Sequence, residues 1–324
     1  MELLKRINQA MQEFPEQASI VSDTYSGYKL FWMIDMAWCL VRYGARPIDY
    51  VRFEFHKKSG RERDRYLTIF KYFKLAKKLK KTLGGNLMGY KTNEYKLFSE
   101  YIKREWMIVD AQTSESDVRT FIQKHQTVIA KPNNGEQGKG VMKIKVEDQK
   151  KINELLDLKS HNVFVLEECL KNIEDLDRMN PSSLNTIRCY TMIDKEGKDR
   201  IMEIILRAGA PGSHVDNWGS GGVAYYFDVE TGICKGPGVD KKNKTHMLHP
   251  GSQFQVVGYK LPDYEKLLDY IHQLMNVDRT ARFVGWDIAL TPNGYDLVEM
   301  NCPGGHDLLQ GFGKPWGSFF KENW

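Results

Sequence analysis

The sequence predicts an α+β protein with a helical N-terminal region, and three features carry that prediction. Residues 1 to about 85 place apolar side chains at helical spacing, most clearly Tyr66, Ile69, Phe70, Phe73, Leu79 and Leu83. From Lys91 onward helix and strand patterns alternate. Toward the C-terminus, Val284-Gly-Trp-Asp287 and Leu297-Val-Glu299-Met-Asn301 lie on two apolar strands around a Pro292-Asn-Gly294 turn, which reads as a hairpin.

Helices are predicted over 2–13, 26–43 and 61–82. The apolar run from Leu30 to Val41 carries Asp35 and is far shorter than the roughly 20 residues needed to span a bilayer, so it reads as a buried helix. The aromatics of 61–82 read as core. Leu83-Gly-Gly-Asn86 breaks the pattern and separates a helical region, 1–86, from a second region, 87–324. There the reading gives a helix at 93–104, strand Trp106 to Asp110, a helix at 115–125 opened by Thr113, Ser114 and Ser116, and strand Thr127 to Lys131. A Gly-rich loop, strand Val141 to Val146, a helix at 147–158 and strand Val163 to Glu167 follow. Strands at 185–194 and 200–208 join through Lys195-Glu-Gly-Lys198. A polar, Gly-rich loop from Gly209 to Gly222, strand Val223 to Val229, a loop at 232–252 and a helix at 262–276 lead to the hairpin.

Composition narrows the function class. Forty-seven Lys+Arg against 42 Asp+Glu gives a net charge of +5, too small a surplus to imply nucleic acid but consistent with anionic phosphates as ligands. Five scattered cysteines (Cys39, Cys169, Cys189, Cys234 and Cys302) with no CxxC indicate neither a zinc site nor a disulfide framework, which favours a reducing, cytoplasmic setting. The N-terminal residues have no apolar signal region, so secretion is not expected. Lys5, Arg6 and the cluster Lys74 to Lys81 read as solvated helix surface, with contact to an anionic membrane face as the lesser alternative. Oligomeric state is not readable.

Three motifs carry chemistry. In the hairpin, alternation sends Glu299 and Asn301 to one face, and Asp287 on the neighbouring strand can meet them there. Oxygen donors of this kind suit Mg²⁺ shared with substrate phosphates, and the same residues taken alone also fit a hairpin with solvated acids. Strand Ile129-Ala-Lys131-Pro132 runs into Asn133-Asn-Gly135-Glu-Gln-Gly138-Lys139-Gly140, whose three glycines would let backbone N–H groups approach a phosphate. This is neither a Walker A nor a dinucleotide loop, and locally a flexible hairpin explains it equally well. Phe164-Val-Leu-Glu167-Glu168-Cys-Leu170 is an apolar strand ending in polar chain, which could offer an adenine edge an acceptor and an N–H donor; locally, two ordinary adjacent acids are the better account.

In their order, these pieces resemble the ATP-grasp superfamily over about residues 90–310: Lys96 in Glu-Tyr-Lys-Leu-Phe, Lys131 ending its strand, the glycine loop 135–140, the Glu-Glu hinge 167–170, and Asp287 followed by Glu299-x-Asn301. The resemblance implies an ATP-grasp fold, two α+β subdomains clasping ATP, with an ATP-lid subdomain at about 106–168 and a metal-site subdomain at about 169–312. It implies that Lys96 and Lys131 bind ATP phosphates with Gly135, Gly138, Lys139 and Gly140. Glu167, Glu168 and the Leu170 backbone would hold adenine, Glu174 the ribose, and Asp287, Glu299 and Asn301 two Mg²⁺ ions. Ser183-Leu-Asn-Thr-Ile-Arg188, Val215-Asp-Asn217 with Gly222, and Gly285-Trp-Asp287 look like the sugar-transfer-associated branch, whose members tend to be associated with surface-polysaccharide synthesis.

Two departures stand out. In D-alanyl-D-alanine ligase-like enzymes an arginine stands two residues before the metal-binding Asp, where this chain has Gly285. The charge must come from elsewhere, with Arg188 and Arg207 as candidates and Arg282 in reserve. Second, a typical member begins with an α/β substrate domain rather than helices. The implied activity is an ATP- and Mg²⁺-dependent carboxylate-amine ligase working through an acyl phosphate, joining an amine or amino acid to a sugar acid of a surface glycan. His214, Asn217 and His306 are candidate substrate contacts, with structural roles the commoner fate of such histidines. Cys302 reads as packed rather than catalytic. The alternatives are a kinase using the same ATP site on a hydroxyl, and a non-catalytic nucleotide-binding regulator.

Overall fold

The structure, a computed structural model, describes residues 2–82, 90–135, 139–210, 212–213 and 221–323. It begins with helices α1 (Glu2–Tyr25), α2 (Lys29–Tyr43), α3 (Pro47–Arg52), α4 (Gly60–Asp64) and α5 (Ile69–Thr82). Helix α1 does not stop at 13. It runs through Pro15 because Ala18 and Val21, beyond the proline, are buried against the neighbouring helices. It ends where Ser26 and Gly27 take positive φ; a side chain at Gly27 would meet the Trp32 ring at 2.9 Å. The expected helix at 61–82 is two helices, separated by Tyr66, Leu67 and Thr68, which turn inward and are buried.

The core of this region is Met36, Cys39, Tyr50, Phe53, Phe55 and Tyr66. Asp35 reaches toward it with partners: Arg63 donates to both carboxylate oxygens at 2.8 Å, and the Tyr50 hydroxyl donates at 2.6 Å. A charge in an apolar run is thereby matched. The expectation that 30–41 forms a buried helix is nonetheless corrected. Only Met36, Cys39 and Tyr43 of α2 are buried, while Leu30, Phe31, Ile34, Trp38 and Val41 are exposed. Phe70 and Phe73 of α5 are exposed as well, because α5 instead buries Leu75, Ala76 and Leu79 on the opposite face.

A four-stranded antiparallel sheet comes next, in the spatial order β1 (Trp106–Val109), β4 (Phe164–Glu168), β2 (Thr127–Pro132), β3 (Met142–Lys145). Helices α7 (Glu115–His125) and α8 (Gln149–Leu158) cover one face, burying Val118, Ile122, Ile152 and Leu155 on Val128, Ala130, Ile144 and Leu166. Before it lies α6 (Lys91–Leu97), shorter than the 93–104 expected, and after it α9 (Glu174–Met179). The second sheet has seven antiparallel strands in the order β11 (Gly294–Asn301), β10 (Phe283–Thr291), β5 (Thr186–Ile193), β6 (Asp199–Ala208), β7 (Val223–Phe227), β8 (Gly238–Val239), β9 (Thr245–His246). Strands β8 and β9, two residues each, fall in the segment read as loop. Helix α10 (Tyr264–Val277) packs Leu267, Ile271 and Leu274 into the main core, and α11 (Gly317–Asn323) follows a 3₁₀ turn over Leu308–Gly313.

Two polar anchors join these parts. Arg104, fully buried, lies between the sheets: it bonds Glu167 of β4 (2.8 Å), Asp296 and the Leu297 carbonyl (2.7 Å) of β11, and the Tyr95 hydroxyl of α6 (2.8 Å). The N-terminal helices are anchored through buried Asp49. Its carboxylate accepts from the backbone N–H groups of Arg46 (3.2 Å) and Ile69 (3.0 Å) and faces His306 Nε2 at 3.2 Å. Arg52 pairs with Asp307 at 3.0 Å, and Gln310 exchanges hydrogen bonds with both backbone groups of Leu67.

Removing one partner of a buried ion pair costs about 3–5 kcal/mol because the other charge stays behind. Arg104→Met strands Asp296 and half of the demand of Glu167, so urea unfolding is expected to show a loss of that size. A loss below about 1 kcal/mol, the range of an exposed pair, would show that the two sheets do not depend on this residue.

Candidate active site

The C-terminal hairpin places its acids through register. Asp287 and Glu299 are directly opposed across β10 and β11, and Gly285 opposes Asn301. The register shifts between Asp287 and Ile288, so Val298 is an extra residue on β11, a bulge that re-aims the strand end carrying Glu299 and Asn301. The Asn301 amide donates to Asp287 at 3.4 Å. On the other side of β10, Arg188 of β5 opposes Asp287 and bonds both its oxygens, through Nε and through Nη2 at 2.8 Å. Arg207 of β6 adds an ion pair to Asp287 at 3.1 Å and donates to Thr186 Oγ1. Burial alone would raise the Asp287 carboxyl, yet Arg188 and Arg207 hold it below the usual carboxylate range.

Gly285 accounts for how Arg188 gets there. A side chain at this position would sit 3.3 Å from Arg188 Cδ and 3.4 Å from its Nη1. The absence of a side chain at Gly285 leaves room for Arg188, which reaches over from the next strand. Arg282 is elsewhere: it bonds the carbonyls of Ile193 (3.0 Å) and Asn323 (3.1 Å).

Helix α6 brings a second group. Lys91, Glu94 and Tyr95 share its inward face with buried Phe98 one turn on. Lys91 pairs with Glu299 at 2.6 Å. The Glu94 carboxylate accepts from the Met300 N–H at 2.5 Å. Burial, and then the nearby charge of Glu299, push Glu94 up to about 7. Lys96, the residue chosen from the sequence, is on the opposite, exposed face of the helix. Lys91 and Glu94 were not singled out; the signal was the stripe 91, 94, 95, 98, whose apolar members fix which face looks inward.

Lys131 lies between the sheets, 2.7 Å from Glu167 and 3.1 Å from the Tyr95 hydroxyl. Burial favours a raised Glu167, but Arg104 and Lys131 bring it down to about 2. The Glu167 side chain is therefore committed to two cations and the Tyr95 hydroxyl. Its backbone is also inside the sheet, paired with Trp106 and Ile129. Glu168 lies at the ladder end, bonded to the Glu105 peptide, and the Cys169 N–H still donates to the Thr127 carbonyl at 3.3 Å, so the sheet's hydrogen bonds run as far as Cys169. Glu174 is exposed at the start of α9.

The glycine loop is planted beside α6. Asn133 accepts from Lys91 N through its carbonyl and from Thr92 N through its side chain, both at 2.9 Å. Gly135 would meet the Lys139 carbonyl at 3.0 Å if it bore a side chain, and Gly140 has φ +75°. Lys139 and Gly140 are exposed. Gly138, His214 and Asn217 lie outside the described residues. His306 is not brought to the cluster: it is buried, bound to Asp49 and stacked on Tyr72 with ring centroids 4.9 Å apart. Cys302 is partly buried and its thiol is pushed up to about 12 by burial, far from a reactive thiolate.

The structure thus gathers Arg188, Arg207, Asp287, Glu299 and Asn301, adds Lys91 and Glu94, and sets Lys131 close enough for its charge to act on Glu94. The oxygen donors fit Mg²⁺ by chemistry. Among the described residues no three His, Cys, Asp or Glu side chains form a metal-holding group. An ion here would need phosphate or water oxygens to complete its shell.

Residues 100–310 match a family model described as sugar-transfer associated ATP-grasp. No curated protein matches the sequence. Among solved structures the chain is similar to D-alanyl-alanine synthetase A from Vibrio cholerae, with 13% identity and a TM-score of 0.45 over 72% of this chain and 60% of that one. It is also similar to an ADP complex of N5-carboxyaminoimidazole ribonucleotide synthetase (11%, 0.46, 72% and 51%). A third is the D-alanine-D-alanine ligase from Coxiella burnetii (8%, 0.45, 72% and 55%). The chain spans less than two thirds of the length of each of these structures.

Glu94 sets a pH dependence. Its folded value near 7 lies above the ordinary 4.5, so its contribution to stability is complete below pH 4.5 and is lost as pH rises through 7. Over that window the loss is about 3 kcal/mol. Unfolding midpoints of Glu94→Gln, compared with the parent at pH 5.5 and pH 8, should lack this component; an unchanged pH slope would show that Glu94 does not titrate there.

Proposed function

The chain belongs to the sugar-transfer associated ATP-grasp family, and from that premise we propose that it is an ADP-forming ligase that joins an amine to a carboxylate of a sugar acid or glycan. One observation supports this reading most directly. Asp287, a buried carboxylate between Arg188 and Arg207, faces Glu299 and Asn301 across one hairpin. Oxygen donors and guanidinium groups at one point are what a transferring phosphoryl group requires.

In this reading Lys131 and Lys91, with the backbone of the glycine loop, bind the ATP phosphates, and the chain after Glu168 receives adenine. Asp287, Glu299 and Asn301 would hold Mg²⁺, which when bound neutralises charge on the phosphate oxygens; the ligase resemblance implies two ions. The substrate carboxylate oxygen attacks the γ-phosphorus, the bond to the β-phosphate bridging oxygen breaks, and ADP leaves. Arg188, reaching over Gly285, lies on the strand next to the metal hairpin, where it would balance the charge that builds on the phosphoryl oxygens. An amine then attacks the acyl carbon, phosphate departs, and the amine proton passes to solvent. The chain itself supplies no covalent nucleophile.

Incubation with Mg-ATP, pooled sugar acids and pooled amines should release ADP and a mass equal to acid plus amine minus water. Hydroxylamine should trap the acyl phosphate as a hydroxamate. AMP as product would overturn the mechanism, and a phosphorylated hydroxyl without hydroxamate would make the protein a kinase. Arg188→Met is expected to lower kcat by about 100-fold or more, the usual cost of one preorganised charge donor, while ATP binding persists.

A further inference from the structure

The N-terminal helices carry a surface that the ATP-site reading does not use. On α2 the side chains of Leu30, Phe31, Ile34, Trp38 and Val41 follow helical spacing on the arc opposite buried Met36, Cys39 and Tyr43. All five are more than half exposed, from 58% at Phe31 and Trp38 to 83% at Val41, and Tyr28 before the helix is 87% exposed. Scattered exposed hydrophobes are ordinary, but a contiguous stripe of this size marks a contact surface. Helix α5 adjoins it where the Phe70 N–H donates to the Gly44 carbonyl at 3.2 Å and the Phe70 side chain lies against Gly44. The outer arc of α5 carries Phe70, Phe73, Lys74, Lys77, Lys78 and Lys81, all exposed.

Charge decides what such a surface fits. The only carboxylate on either helix is Asp35, and it is turned inward to Arg63 and Tyr50. Lys29 and Arg42 at the ends of α2 and four exposed lysines on α5 make the two outer arcs apolar and cationic, with no acid of their own. A second copy of the same face would set lysine against lysine, which disfavours self-association through it. Aromatic and aliphatic side chains beside a row of lysines are what lies flat in the headgroup region of an anionic bilayer. No helix among the described residues is long and apolar enough to cross a membrane. We propose that the outer arcs of α2 and α5 dock the protein peripherally on an anionic phospholipid surface.

In this arrangement Trp38, Phe31 and the aliphatic stripe enter the interface, while the α5 lysines meet lipid phosphates and carboxylates. The test is cosedimentation of the full chain with phosphatidylcholine vesicles, against vesicles with about 30% phosphatidylserine at about 0.1 M salt. Binding to the anionic vesicles should be about tenfold stronger or more, and should weaken as salt rises. Ile34→Glu with Trp38→Glu, both at exposed positions, should abolish it. Lys77→Glu with Lys81→Glu, which touches only solvated side chains, should reduce it to the level on neutral vesicles. Circular dichroism checks that each variant is folded, and the lysine pair keeps the test decisive if the α2 pair is not. Equal binding to both vesicle types, or none to either, overturns the proposal. So does a concentration-dependent oligomer that Ile34→Glu with Trp38→Glu dissolves, which would assign the face to another copy of the chain.

Discussion

Arg104 is the constraint on which the geometry of the candidate site depends. One half of that site, Lys131 and Glu167, belongs to the four-stranded sheet, and the other half, Asp287, Glu299 and Asn301, to the seven-stranded sheet. A guanidinium with no solvent exposure must place its donors on protein acceptors, and Arg104 divides them among β4, β11 and α6. The planar fork leaves little freedom in how those three elements approach. Because the group is out of water, salt does not screen it as it screens exposed pairs such as Lys124 with Glu105.

The strands were legible in the sequence because alternation and turn residues are local signals. The hairpin of β10 and β11, the β5–β6 pair and both helices on the four-stranded sheet follow their patterns closely. Arg104 was not legible: it falls at the end of the helix expected at 93–104 with nothing local to mark it, and its acceptors, Glu167 and Asp296, are 63 and 192 residues away. Glu167 was legible as important and misread in role, since nothing local reveals that two buried cations claim its side chain. The exposed stripe on α2 failed for a related reason. An apolar periodicity states that a face is apolar, and only tertiary structure states whether protein covers it.

Asp287 shows how one glycine shapes the surroundings of a buried charge. Gly285 leaves room beside β10, Arg188 lies over it, and the carboxylate in an apolar strand is the centre of a three-residue ion group. The β-bulge at Val298 then brings Glu299 level with it, where Lys91 reaches in from α6. Strand register, one glycine and one bulge set the Asp287, Glu299 and Arg188 side chains against one another.

The anchoring of the N-terminal helices on the segment after the hairpin also bears on how the chain comes together. Asp49, Arg52 and Leu67 take partners 257, 255 and 243 residues further along. Contacts of such separation form late, after a large loop-closure cost has been met. During synthesis the helices of the first 82 residues emerge long before His306, Asp307 and Gln310, with one Asp49 oxygen and the peptide groups of Leu67 not yet met by those partners. The join between the N-terminal helices and the segment after the hairpin thus exists only once both ends of these long separations have been synthesised.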